Sequence, residues 1–214
     1  MAFKHILALI VTLAAFTIAP AAAVRAEPLQ IVGFGDSLMA GFGLGPGEGF
    51  TDKLQTALQS KGHDVAVANA GVSGDTTSGG LARLDWSVPD GTRLVILELG
   101  ANDMLRGVEP ALVEQNLDAM LSRLKKRGIP VVMAGMVAAP NLGHAYGEQF
   151  GAIYPTLAQK YGATLYPFFL DGVAGDKSMQ LEDGMHPNAA GVERMVERFL
   201  PTMEKALAGL PAAQ

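Results

Sequence analysis

Short apolar runs alternate with longer amphipathic ones, and this alternation restricts the chain more than any single motif it carries. Leu29 to Phe34 reads as a strand. Phe50 to Lys61 reads as a helix, with Phe50, Leu54, Ala57 and Leu58 at helical spacing and Gly62 as a stop. Val65 to Ala68 reads as a second strand, Thr76 to Leu84 as a short helix, and Leu94 to Leu99 as a third strand. That third run is apolar at nearly every position, as a strand covered on both faces must be. Pro110 to Arg127 is the clearest helix. Leu112, Val113, Leu117, Met120, Leu121 and Leu124 line one face, Pro110 suits the start, and Lys125, Lys126 and Arg127 suit the end before Gly128. Pro130 to Val137 gives a fourth strand, and Tyr146 to Tyr161 a helix interrupted or bent near Pro155. Thr164 to Pro167 gives a short fifth strand, and Asn188 to Leu207 a closing helix. Such alternation predicts an α/β fold, a parallel sheet with helices on both faces. Five strands suggest the flavodoxin-like order 2-1-3-4-5. No internal repeat, low-complexity linker or second domain is visible, and Gly209 to Gln214 is expected to fray.

Residues 1–26 stand apart and read as a secretory signal peptide. Lys4 and His5 make a short positive start, Ile6 to Ile18 is apolar, Pro20 breaks the run, and Val24-Arg25-Ala26 suits cleavage before Glu27. The apolar run is 13 residues, short of the roughly 20 that span a bilayer. Residues 27–214 are then the mature domain, expected to be exported, periplasmic or secreted, and without a stable membrane anchor. Losing Lys4 and Arg25 leaves 14 basic against 21 acidic residues, a net charge of −7 where the whole chain has −5. That balance argues against a nucleic-acid partner. The chain has no Cys, which removes disulfides, thiolate metal sites and a cysteine nucleophile. Hydrophobic residues at 49% and charged residues at 17% are globular proportions, and about 188 residues can hold a fold by their core alone.

In a sheet of this kind ligands bind outside the C-terminal strand ends. The segments just after the strands are therefore informative. Gly35-Asp36-Ser37-Leu38 follows the first, Asn69 to Thr76 the second, and Gly100-Ala101-Asn102-Asp103 the third. Asp183-Gly184-Met185-His186-Pro187 precedes the last helix. Ser37 is the candidate nucleophile, His186 the candidate base and Asp183 the carboxylate that orients it, since a serine hydroxyl needs a base and the base needs a fixed tautomer. Asp183 and His186 are three residues apart, so one turn can carry both. The backbone N–H groups of Ser37 and Gly74 and the side-chain amide of Asn102 are candidate oxyanion donors. Each assignment alone has an ordinary alternative: a helix N-cap for Ser37, a turn for Gly74, an Asx-turn for Asn102, a loop or cap role for Asp183, a surface position for His186. Their convergence on one rim is what carries weight. His63 reads as turn chemistry, and His144 is a distant second candidate base. Met39, Phe42, Met104, Leu105, Met136, Leu142 and Met185 lie near these loops and could line an acyl pocket, although core packing is the commoner fate of such residues.

These blocks resemble those of the SGNH, or GDSL, hydrolases, named for a Ser, Gly, Asn and His that correspond to Ser37, Gly74, Asn102 and His186, with Asp183 at the acid of the triad. The similarity covers about residues 29 to 200. Ser73-Gly74-Asp75-Thr76-Thr77, Gly80 to Leu84, Glu98 to Gly107, Ala152-Ile153-Tyr154-Pro155 and Pro167-Phe168-Phe169 are similar to the thioesterase I, lysophospholipase and arylesterase branch. The resemblance implies a three-layer α/β/α sandwich, no metal, no cofactor, and a small-molecule acyl ester or thioester as substrate: aryl esters, acyl-CoA or lysophospholipids. A monomer is the expectation. Ala101 stands where Gly is common in the family, and Gly71 where a small residue such as Ser occurs. The glycine-rich Gly41 to Gly49 and the stretch Ala138 to Gly147 are distinctive, which leaves acyl-chain length and the substrate-binding residues open.

Two rivals share this scaffold. A short-chain acetylesterase or carbohydrate O-deacetylase would need a small polar site and stacking aromatics, and Trp86 with few Tyr offers little for that. A non-enzymatic flavodoxin-like binding module is allowed by fold alone. The glycines at 33, 35, 41, 43 and 45 lack the spacing of a dinucleotide fingerprint.

Overall fold

The computed structural model describes residues 27–211, so the expected signal peptide, residues 1–26, lies outside the described residues. Strands β1 (Leu29–Gly35), β2 (Val65–Gly71), β3 (Leu94–Glu98), β4 (Val131–Ala134) and β5 (Thr164–Tyr166) form one sheet. All neighbouring pairs are parallel, in the order β2-β1-β3-β4-β5. The expected fold class and strand order are therefore observed. The helices are α1 (Ser37–Ala40), α2 (Phe50–Ser60), α3 (Thr77–Ser87), α4 (Ala101–Leu105), α5 (Pro110–Lys126), α6 (His144–Tyr161) and α7 (Ala189–Ala208). Helix α2 packs on α7, while α5 packs between α3 and α6.

The layers follow from the side chains. Every residue of β3 and β4 is buried, as central strands under two helical layers require. Edge strand β2 is only half covered and runs three residues past the apolar Val65 to Ala68, because Asn69, Ala70 and Gly71 still pair with Gly33, Phe34 and Gly35. Between α2, α7 and the end of β5 the core is aromatic. Phe50 meets Phe169 and Phe199 edge-on at 4.7 and 5.3 Å, and Tyr166 meets Phe199 at 5.0 Å.

Several element boundaries differ from those expected. Helix α6 begins at His144 and continues through Pro155 as one helix, and α7 likewise passes through Pro201. Short α1 and α4 follow β1 and β3 directly, inside the two motifs. Strand β4 ends at Ala134, after which Gly135 still donates its N–H to the Tyr166 carbonyl at 2.8 Å. The chain end is held as far as Pro211, whose carbonyl accepts from the Arg93 guanidinium at 2.6 Å. Residues 212–214 lie outside the described residues.

Phe199→Ala removes the ring that meets both Phe50 and Tyr166. It should lower the unfolding free energy by about 3–5 kcal/mol, read by denaturant titration.

Candidate active site

The carboxyl end of β1 turns abruptly into α1. Asp36, not Ser37, is the N-cap: its Oδ1 accepts the Leu38 N–H at 3.0 Å. Ser37 is thus the first helical residue. Its N–H is one of the donors that a helix start leaves without an internal partner. Gly41, in the left-handed region at φ 81°, ends the helix after four residues.

Asp183 and His186 come from the loop between β5 and α7. The Leu181 N–H donates to the His186 carbonyl at 2.8 Å, and Gln180 bridges Pro187, closing a tight turn. Asn188 caps α7 and also ties the loop down, donating to the carbonyls of Ser178 and Gln180 at 2.9 and 3.2 Å. Pro187 therefore lies in the bridge ahead of the cap and outside the helix. Asp183 Oδ1 accepts the N–H groups of Met185 and His186 at 2.9 and 3.0 Å. Its Oδ2 lies 2.6 Å from His186 Nδ1, and His186 Nε2 lies 2.9 Å from Ser37 Oγ. The three expected residues thus form one hydrogen-bonded chain. With Nδ1–H donated to Asp183, Nε2 is free to accept the serine proton. The N–H groups of His186 and Met185, with the His186 ring, hold the Asp183 carboxyl down at about 2.

Gly74 and Asn102 are brought to the same opening as Ser37 and His186. At Gly74, φ is +80°, and a Cβ there would meet only Arg106 Nη2 at 3.8 Å. The glycine is required by the backbone conformation rather than by crowding. Arg106 holds this segment by donating to the Gly74 carbonyl at 2.9 Å. Two buried polar clusters fix it further. Arg83 donates to Asp75 Oδ2 at 2.7 Å and to the Ala70 and Gly35 carbonyls at 2.8 Å, and its guanidinium lies 4.0 Å from the centre of the Phe34 ring. Asp103 accepts from the Thr77 N–H and hydroxyl at 2.8 and 2.7 Å, linking α4 to the start of α3. Asn102 Nδ2 donates to Asp36 Oδ2 at 3.0 Å. Asp36 is fully buried, and burial pushes its carboxyl up to about 6 against the opposing N–H bonds of Leu38 and Asn102. Asp36 and Glu98 both lie within the sequence motifs, yet nothing in their spacing assigns either a role. Only their shared burial exposes one.

A cavity of about 600 Å³ opens beside Ser37 and His186. Phe42, Met104, Leu105, Met136 and Met185 line it, joined by Phe168 and Leu170. Phe42, Leu105 and Met185 are exposed at its mouth, whereas Met104 and Met136 line it from within the buried core, Met39 is fully buried away from it, and Leu142 packs against the core outside the lining. The Phe42 ring lies 4.5 Å from the His186 ring, covering one side of the imidazole. His144 does not line the cavity; it sits exposed at the start of α6, 3.3 Å from Glu148. Trp86 is 75% exposed and also lies outside the lining. Among the described residues no group of three or more His, Asp or Glu is arranged to hold a metal ion.

The Asp183 carboxyl has a pH signature. Its folded value of about 2 lies below the unfolded 3.8, so its contribution to stability is full above that range and is lost as pH falls through about 2. Asp183→Asn should cost stability at neutral pH and cost little near pH 2, read from denaturant titrations across that range.

The geometry has counterparts. Residues 34–194 match the model of the GDSL-like Lipase/Acylhydrolase family. The chain is 40% identical over 183 residues to Esterase TesA of Pseudomonas aeruginosa, covering 85% of this chain and 90% of that one. It is 38% identical over 167 residues to Thioesterase 1/protease 1/lysophospholipase L1 of Escherichia coli K12, covering 78% of each. The crystal structure of AlinE4, an SGNH-hydrolase family esterase, superposes with a TM-score of 0.73 at 48% identity, covering 88% of this chain and all of that one. Family model, relatives and fold agree: this chain belongs to the GDSL-like lipase/acylhydrolase family and is an SGNH-type hydrolase.

Proposed function

We propose that the protein is a serine esterase and thioesterase that works through an acyl-enzyme on Ser37. The observation that carries this reading is the chain Ser37–His186–Asp183, at 2.9 and 2.6 Å, opening into an apolar cavity. His186 Nε2 takes the Ser37 proton as Oγ attacks the acyl carbonyl. Asp183 keeps the proton of Nδ1 in place and stabilises the imidazolium. The developing oxyanion is met by the N–H groups of Ser37 and Gly74 and the free N–H of Asn102. His186 then protonates the leaving thiol, phenol or alcohol. Water, activated by the same imidazole, releases the carboxylic acid and restores Ser37.

The cavity wall supports acyl chains longer than acetyl. Met104, Met136 and Met185 are adaptable side chains, and Phe168 and Leu170 add to the apolar lining. A sugar O-deacetylase is less well served, since Trp86 stands away from the site. Aryl esters, acyl-CoA thioesters and lysophospholipids are the substrate classes that combine a reactive acyl group with such a chain. The expected signal peptide supports action outside the cytoplasm. Among the described residues no helix is long and apolar enough to cross a membrane.

The test is hydrolysis of p-nitrophenyl esters from acetyl to palmitoyl, beside palmitoyl-CoA and a lysophospholipid, with Ser37→Ala as the blank. Turnover should favour medium or long chains, and fluorophosphonate labelling should vanish in Ser37→Ala. Activity confined to acetyl would transfer the protein to the acetylesterase reading, and labelling that persists in Ser37→Ala would reassign the nucleophile. Asn102→Ala should lower kcat by ~10²–10³-fold with the fold intact, as loss of one oxyanion donor does.

A further inference from the structure

Behind the oxyanion donors two carboxyls are buried together. Asp36 follows β1 and Glu98 ends β3, at the point where the chain order of the sheet reverses. Both are fully buried. Glu98 Oε2 accepts the Asp36 N–H at 3.2 Å, and the charge on Asp36 acts directly on the Glu98 carboxyl. Gly35 makes room for this, since a Cβ there would run into Glu98 Oε2 and the Glu98 carbonyl.

Two carboxylates cannot both ionise in one dry site, so the pair holds a proton. The hydrogen bonds decide where it resides. Asp36 accepts two N–H donors, from Leu38 and Asn102. Glu98 Oε1 has no partner among the described residues. An ionised carboxylate in that position would leave a bare buried charge, which is far costlier than a neutral acid. The surrounding groups do not change the balance. Arg83 of α3 is committed to Asp75 and to main-chain carbonyls, including that of Gly35. Asp103 of α4 is bound by Thr77, Tyr154 of α6 gives its hydroxyl to the Leu99 carbonyl, and His186 approaches Asp36 from the last loop.

We propose that Glu98 is a positioning residue of the oxyanion hole: as a neutral acid buried against Asp36 it holds the Asp36 main chain and leaves Asp36 the ionised member, a pure acceptor that turns the Asn102 amide so that one N–H is held and the other faces the substrate. An asparagine amide has nearly the same shape either way round, and a flip would present its oxygen to the oxyanion. A carboxylate can only accept, so it enforces one orientation. The ionisation order supports this arrangement. Burial, reinforced by the charge on Asp36, holds Glu98 well above the usual carboxylate range, while Asp36 stands at about 6. The inference rests on the esterase reading of Asn102.

Glu98→Gln keeps a neutral polar side chain of the same shape and should leave kcat and KM within about threefold of wild type, whereas Glu98→Leu should lower kcat ~10²-fold with KM within about twofold. The infrared spectrum at mildly alkaline pH should contain the C=O stretch of a protonated buried carboxyl, absent from Glu98→Gln. Missing absorption in the wild type, or Glu98→Gln as slow as Glu98→Leu, overturns the proposal. Asn102→Ala separates the two levels. If it retains turnover, the oxyanion reading fails and this inference with it. If it is crippled while Glu98→Leu is not, only the role of Glu98 fails. Should Glu98→Leu not fold, the infrared absorption and the kcat of Glu98→Gln decide alone.

Discussion

Strand β1 is paired in parallel on both sides, and the rest of the site depends on that constraint. Phe34 lies in register with Ala70 on β2 and with Leu97 on β3. The ends of three strands are therefore level, and the segments leaving them must emerge on the same rim. Hydrogen bonds within the sheet set these positions more rigidly than any loop contact could. Gly33 and Gly35 permit the close packing around β1, because a side chain at Gly33 would collide with Met39 and Thr51, and one at Gly35 with Glu98.

On this frame the molecule separates two kinds of surface. The polar side is pre-formed and tightly bonded: Arg83, Asp75, Asp103 and Thr77 hold the segment around Gly74, and Asn188 and Asp183 hold the last loop. Such buried polar clusters add little net stability compared with apolar packing, but they admit few arrangements. The facing wall is apolar and built from methionine, leucine and phenylalanine, which adapt to different occupants. A rigid donor set beside an adaptable wall suits the acyl transfer proposed above, constant at the carbonyl and tolerant along the chain.

Most of the scaffold and the candidate site residues were legible in the sequence for local reasons. Helix α5 announced itself through Pro110, its apolar face and Gly128, and β3 through a run that is apolar at nearly every position. Ser37, Asp183 and His186 stood out because each follows a strand or precedes a helix in an α/β order that directs such segments to one edge. The end of β2 was missed because Asn69, Ala70 and Gly71 carry no strand pattern and are held by pairing with β1. Short α1 and α4 were missed because helices of four and five residues have no measurable periodicity. Pro155 misled in the other direction, since packing of α6 against α5 holds a helix that local propensity would break.

By itself, then, the sequence determined the alternation of strands and helices, the strand order that this implies, and the five candidate residues for the proposed acyl transfer, since periodicity and motif order are local properties of a chain. Tertiary structure alone decided that Met39 enters the core while Met185 faces the cavity, and that Glu98 lies against Asp36. Those outcomes depend on contacts between segments distant in the chain, as Asp36 and Glu98 are at 62 residues apart. They also depend on burial, which raises the Glu98 carboxyl, reinforced by the second carboxyl packed beside it.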